Sequence, residues 1–212
     1  MTPASYAALA AQGYNRIPLV REVLADLDTP LSAYLKLAGE PYSCLFESVQ
    51  GGEKWGRYSI LVLPCRTRIE ASGHLLRVWT GGHLVEEAET ADPLAWIDAF
   101  QRRFKVAPTP EGMPRFAGGL AGYFGYDTVR YIEPRLAQCP NPDPLGTPDI
   151  LLMVADEIVV FDNLSGRMIL IIHLDPTAGD TLAAGEARIG DLIERMRRGA
   201  PRPPHGPARV VR

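Results

Sequence analysis

Cysteine is scarce in this chain of 212 residues: there are three, Cys44, Cys65 and Cys139. They are too few and too scattered for a disulfide framework or a zinc site, and their odd number fits a reducing compartment. Long apolar runs are missing too. The longest, residues 168–174, is interrupted by His173 and falls far short of the roughly 20 residues a membrane span needs. The first 13 residues carry no basic start and no apolar stretch, so no secretory signal is read there. There is no excess of one charge either. Lys and Arg number 22 against 25 Asp and Glu, a net −3, which argues against a nucleic-acid partner. A soluble, cytoplasmic protein is the expectation.

Familiar catalytic patterns are absent as well. There is no Gly-x-Ser-x-Gly elbow and no Gly-x-x-x-x-Gly-Lys-Ser/Thr loop, and Gly118, Gly119 and Gly122 do not form Gly-x-Gly-x-x-Gly. The four histidines, His74, His83, His173 and His205, are far apart in sequence. His74 and His83 lie near turns and read as solvated residues, and His173, near a strand end, reads as a packed or surface residue. Cys44 and Cys65 can face each other on adjacent strands, where buried, inert thiols explain them better than redox chemistry.

What is present reads as an ordinary folded protein: 46% hydrophobic and 22% charged residues. The length allows one large domain or two small ones, either with a core sufficient for folding. Nineteen prolines and 20 glycines exceed ordinary usage and imply many turns and short elements.

Along the chain, residues 14–19 read as an extended lead-in. Thr29-Pro30 opens a helix by the N-cap and first-turn preferences of these residues. Leu31, Tyr34, Leu35 and Ala38 then form one stripe, ended at Gly39. Residues 42–46 and 57–63 read as strands. Residues 67–85 read as a three-stranded antiparallel meander turned at Ser72-Gly73 and Gly81-Gly82. Asp92-Pro93 opens a second helix with Leu94, Ile97, Ala99, Phe100 and Phe104 inward. Residues 116–124 hold several glycines and read as a strand lying close to another backbone, with Asp127 capping a short helix after it. Residues 149–161 and 168–174 read as two strands joined by a hairpin turn, and a last helix runs over 181–198. Residues 200–208 hold four prolines and read as an interdomain linker. The expected division is a domain over 1–199 and a Pro-rich linker over 200–212, with more chain beyond. The fold class is α+β, mostly antiparallel sheets packed with interspersed helices.

One segment carries chemistry. It runs Leu45-Phe46-Glu47-Ser48, then a short gap, then Gly52-Glu53-Lys54-Trp55-Gly56-Arg57-Tyr58-Ser59. A carboxylate, hydroxyls and free main-chain groups at a sheet edge beside apolar walls suit a zwitterionic small molecule with an apolar body. A plain hairpin in which Glu47 pairs with Arg57 is the structural alternative.

This segment resembles the N-terminal signature of the anthranilate synthase component I family, Leu-Leu-Glu-Ser followed by Gly-Glu-Arg/Lys-x-Gly-Arg-Tyr-Ser. A second stretch is similar to the family's Gly-Gly-x-x-Gly-Tyr-x-x-Tyr-Asp-x-Val-Arg-x-x-Glu. Here it reads Gly118-Gly119-Leu120-Ala121-Gly122-Tyr123-Phe124-Gly125-Tyr126-Asp127-Thr128-Val129-Arg130-Tyr131-Ile132-Glu133. The resemblance spans about residues 14–198. It implies half of the family's sandwich fold and the N-terminal, regulatory part of an enzyme of tryptophan biosynthesis. That enzyme adds ammonia to chorismate and eliminates pyruvate to give anthranilate. By the same resemblance, a glutamine amidotransferase subunit supplies the ammonia, and chorismate and Mg²⁺ bind in a C-terminal domain that this chain lacks, so no catalytic or metal residue is expected here. L-tryptophan is the implied feedback inhibitor, bound at Glu47 and Ser48, with Arg57, Tyr58 and Ser59 on the facing strand. Phe46 replaces the family's usual Leu, where a larger ring can narrow the indole pocket. The rival readings are a sister chorismate-using enzyme, such as aminodeoxychorismate synthase component I or the phenazine-pathway relative, and a stand-alone amino-acid-binding module.

Overall fold

The fold was obtained as a computed structural model that describes residues 1–47, 56–138 and 143–199. Among the described residues ten strands form two five-stranded sheets, with every strand pair antiparallel. Sheet I has the order β1 (Ile17–Leu24), β10 (Arg167–Leu174), β9 (Glu157–Asp162), β3 (Tyr58–Val62), β2 (Cys44–Phe46). Sheet II has the order β6 (His83–Glu89), β5 (Leu75–Thr80), β4 (Thr67–Ser72), β8 (Ile150–Ala155), β7 (Gly119–Phe124).

Among the described residues four α-helices accompany the sheets: α1 (Pro3–Ala11), α2 (Pro30–Leu37), α3 (Pro93–Gln101) and α4 (Leu182–Arg197). Three of them begin on a capping residue followed by proline. Thr2, Thr29 and Asp92 each accept a backbone N–H of the first turn through their side chains. That removes one orphan donor, and proline has none to lose. Burial then fixes where the helices lie. Ala33 and Leu37 of α2, with Ile189, Leu192 and Met196 of α4, cover one face of sheet I over Leu61, Val159 and Leu170. Ile97 and Phe100 of α3 cover sheet II over Ile69, Leu76 and Ile150. Each such large apolar side chain contributes on the order of 1.5–3 kcal/mol by leaving water.

Two connections pass from sheet to sheet side by side. One joins β3 to β4 through Leu63–Arg66, and the other joins β8 to β9 through Asp156. Residues 149–161, expected as one strand, are therefore two strands in different sheets. Their continuous apolar character reflects burial in two cores, and Asp156 marks the crossing. A third apolar cluster forms there, including Ala121 and Ala155 from sheet II with Val62, Ile158 and Ile171 from sheet I.

Other expectations shift more modestly. The meander, the hairpin at residues 162–166 and the last helix are present. The glycine-rich strand begins only at Gly119. Residues 126–131 form a 3₁₀ helix whose cap position is Gly125, and Asp127 instead pairs with Arg130 at 2.7 Å. Helix α1 has no counterpart in the sequence reading because it buries none of its residues and so has no apolar stripe. Ala99, read as inward, is exposed. The Pro-rich segment, Cys139 and His205 lie outside the described residues.

Candidate functional site

Strand β2 forms one edge of sheet I and bonds only to β3, with Cys44 opposite Val62 and Phe46 opposite Ile60. Its outer row of main-chain groups therefore has no strand partner among the described residues. Glu47 follows directly and is exposed, as is Phe46. Ser48 lies outside the described residues.

On the facing strand the side chains are tied to the β9–β10 turn. The Arg57 guanidinium donates through Nε and Nη2 to the two oxygens of Asp162, at 3.1 and 2.7 Å. The alternative pairing of Glu47 with Arg57 gives way to this two-point fork. Arg57 holds the buried Asp162 carboxyl below the usual carboxylate range, helped by the side chain of Ser165 and the N–H groups of Leu164 and Ser165. The Arg57 guanidinium also sits 4.8 Å from the Tyr58 ring centroid. Ser59 is fully buried, and its hydroxyl accepts a hydrogen bond from Asn163 Nδ2 at 3.2 Å. Of the five residues singled out, Glu47 stands at the open edge, whereas Arg57 and Ser59 brace β3 against the turn.

The sequence reading missed a polar cluster at the crossing of the two sheets. Arg16 Nε lies 2.9 Å from Asp156 Oδ1, and its Nη1 lies 2.7 Å from Asp175 Oδ2. The same guanidinium is 4.4 Å from the Phe104 ring centroid. His173 is buried and its Nε2 bonds the Ala117 carbonyl at 2.6 Å. A carbonyl only accepts, so Nε2 carries the proton. Burial pushes the Asp156 carboxyl up, opposed by Arg16 and His173, and pushes His173 down, opposed by the Ala117 bond and Asp156. Cavities of about 420 and 360 Å³ flank the pair, the first lined by Cys65, Glu157 and Arg188, the second by Arg16, Phe104 and Arg115. No sequence signal joins residues spread from 16 to 175; only the fold brings them together.

The arrangement is that of a neutralised knot rather than an acid–base pair. Arg16 compensates both carboxylates, and the imidazole is kept neutral. Burial, with nearby Asp156, pushes the Cys65 thiol up to about 12, so it stays protonated and unreactive at neutral pH. Cys44 and Cys65 are both free thiols. Among the described residues, no group of three or more His, Cys, Asp or Glu side chains is placed to hold a metal ion.

The depressed His173 pKa has a consequence for stability. The unfolded chain takes up a proton on this histidine near its ordinary 6.5, while the folded chain resists it. Stability is therefore fully present above about pH 6.5 and is lost as pH falls below it. Urea midpoints at about pH 7.5 and pH 5.5 should show the decline, and His173→Gln, which keeps a donor for Ala117 without titrating, should flatten it.

No family model matches the chain. Anthranilate synthase component 1 of Pseudomonas aeruginosa is 58% identical over 197 residues, covering 93% of this chain and 40% of that protein. The protein of the same name from Neisseria meningitidis serogroup C is 52% identical over 195 residues, 91% of this chain and 39% of that protein. The one from Aquifex aeolicus is 40% identical over 165 residues, 77% of this chain and 33% of that protein. Among solved structures, anthranilate synthase component I from Streptococcus pneumoniae TIGR4 matches with a TM-score of 0.55 at 23% identity, over 84% of this chain and 37% of that one. This last is a likeness of fold. The chain thus spans about two fifths of the length of the first of these curated relatives, and over that length it is similar to anthranilate synthase component 1.

Proposed function

We propose that this chain is the N-terminal, regulatory part of an anthranilate synthase component 1 in tryptophan biosynthesis. The observation that carries this is 58% identity to a curated member along 93% of the chain. In the full-length protein, chorismate and ammonia would give anthranilate and pyruvate, with the ammonia supplied by a glutamine amidotransferase partner. Catalytic chemistry and the Mg²⁺ site are assigned to the part of the full-length protein that this chain, matching 40% of its relative's length, does not span.

The regulatory part of the proposal rests on the β2 edge. L-tryptophan presents an ammonium, a carboxylate and an indole. The Glu47 carboxylate suits the first, free main-chain N–H groups suit the second, and the exposed Phe46 ring suits the third. Ser48 follows as a hydroxyl partner. Arg57, Tyr58 and Ser59 would act by holding β3, against which β2 is registered.

The full-length protein, given chorismate, ammonia and Mg²⁺, is expected to produce fluorescent anthranilate, and residues 1–212 alone should produce none. Aminodeoxychorismate in place of anthranilate would assign the chain to the sister branch. Anthranilate formed by residues 1–212 alone would overturn the division of labour.

A further inference from the structure

Tyr42 has a φ of +60°, the one positive value at a non-glycine position among the described residues. This region is sparsely populated by such side chains and persists only where the surroundings hold it. Two contacts do so. The Tyr42 carbonyl accepts the Cys65 N–H at 2.9 Å. The Arg68 guanidinium lies 4.2 Å from the Tyr42 ring centroid.

The same guanidinium lies 5.0 Å from the Trp79 ring centroid. Arg68 and Trp79 are directly opposed on β4 and β5, so their contact is built into the ladder of sheet II. Arg68 Nε is oriented by Glu70 Oε1 at 2.6 Å. The Trp79 Nε1–H is buried without an acceptor among the described residues, so the indole is fixed by its face rather than by its N–H. One cation thus joins an aromatic ring of sheet II to the residue that leads into β2. Strand β2 has only three residues and one strand neighbour. It is also held by Leu45, which packs on the core of sheet I, and by Ser43, whose hydroxyl lies 2.8 Å from both the Ala38 and Glu40 carbonyls and shares its proton between them.

We propose that Arg68 is a positioning residue for the amino-acid site: by holding Tyr42 against sheet II it sets the direction of β2, and with it the placement of Glu47. The proposal rests on the tryptophan-site reading above. It assigns Arg68 no contact with the ligand. Its effect is on the affinity of the edge for the amino acid, not on turnover.

The test uses the full-length protein. Arg68→Met keeps a flexible apolar chain but loses the charge. It should raise the tryptophan concentration for half inhibition about tenfold, leave kcat and the KM for chorismate unchanged, and speed amide exchange in β2. Arg68→Lys, which keeps a cation over the rings, should recover most of the inhibition. Tyr42→Phe should match the wild type. Tyr42→Gly accepts the positive φ but lacks the ring, and should lose inhibition as Arg68→Met does. Unchanged inhibition in Arg68→Met, in a protein where Ser48→Phe does shift it, overturns the proposal. If neither variant shifts inhibition, the tryptophan-site reading has failed. Amide exchange then decides whether Arg68 sets β2, and unchanged rates reject that too.

Discussion

Gly122→Ala should destabilise the protein by about 3 kcal/mol, the upper part of the range for overpacking. A Cβ at this position would overlap the Leu151 carbonyl oxygen and come within 3.0 Å of the Leu151 carbonyl carbon and the Leu152 Cα. These are backbone atoms of β8, which lies between β4 and β7 and cannot yield as a flexible side chain does. In a domain of this size the cost corresponds to a melting temperature lower by roughly 6–12 °C. Gly190→Ala is the internal control. It lies on the exposed side of α4 with nothing within 4 Å of a new Cβ, and should gain up to about 1 kcal/mol from helix propensity. The neighbouring Gly119 differs again. Its φ of +122° disfavours a side chain, yet a Cβ there would meet only Phe116, at 4.0 Å. The close approach to another backbone expected for this stretch is thus found at Gly122, while at Gly118 a Cβ would meet the His173 ring and the Ala155 carbonyl oxygen. Thermal melts of the two variants would settle the order. A Gly122→Ala protein as stable as the wild type would mean that β7 and β8 do not approach as described.

Ser48→Phe in the full-length protein should raise the tryptophan concentration needed for half inhibition by ten- to a hundred-fold. The reasoning is that of a lost hydrogen bond to a charged group, worth about 1.5–3 kcal/mol, converted to affinity. Turnover without tryptophan should hardly change, because the chemistry is assigned to the other part of the protein. Glu47→Gln should act in the same direction by weakening the partner for the ammonium. Superimposable inhibition curves for wild type and Ser48→Phe would remove the assignment. A parallel collapse of uninhibited turnover would instead report misfolding.

How much of this was legible in the sequence depends on whether the cause is local. The Thr-Pro and Asp-Pro helix starts at α2 and α3, and the glycine turns of the meander, are decided by neighbouring residues and were read directly. The same Thr-Pro signal stands at Thr2-Pro3, but α1 has no apolar stripe to confirm it. The division of residues 149–161 at Asp156 was not legible, because strands buried in two different cores have the same apolar pattern as one long strand. At the candidate site the motif was read as lying at a sheet edge, and β2 is an edge strand. It could not reveal that Arg57 would be claimed by Asp162, 105 positions away. Arg16, Asp156, His173 and Asp175 were illegible for the same reason. Each is an unremarkable residue until the crossing of two sheets gathers them, His173 buried and the other three half-buried.

The pairing of β1 with β10 joins residues 17–24 to residues 167–174. During synthesis the first strand must therefore wait for about 150 further residues, which at 5–20 residues per second is on the order of 10–30 s. For that interval Ile17 and Leu19, both buried in the finished fold, have no strand partner, while the meander of β4 to β6 can already close on itself. Sheet II is thus the part that can begin to form on the ribosome, and sheet I closes late. Stalling the ribosome before Arg167 should leave a nascent chain whose first 24 residues remain open to protease.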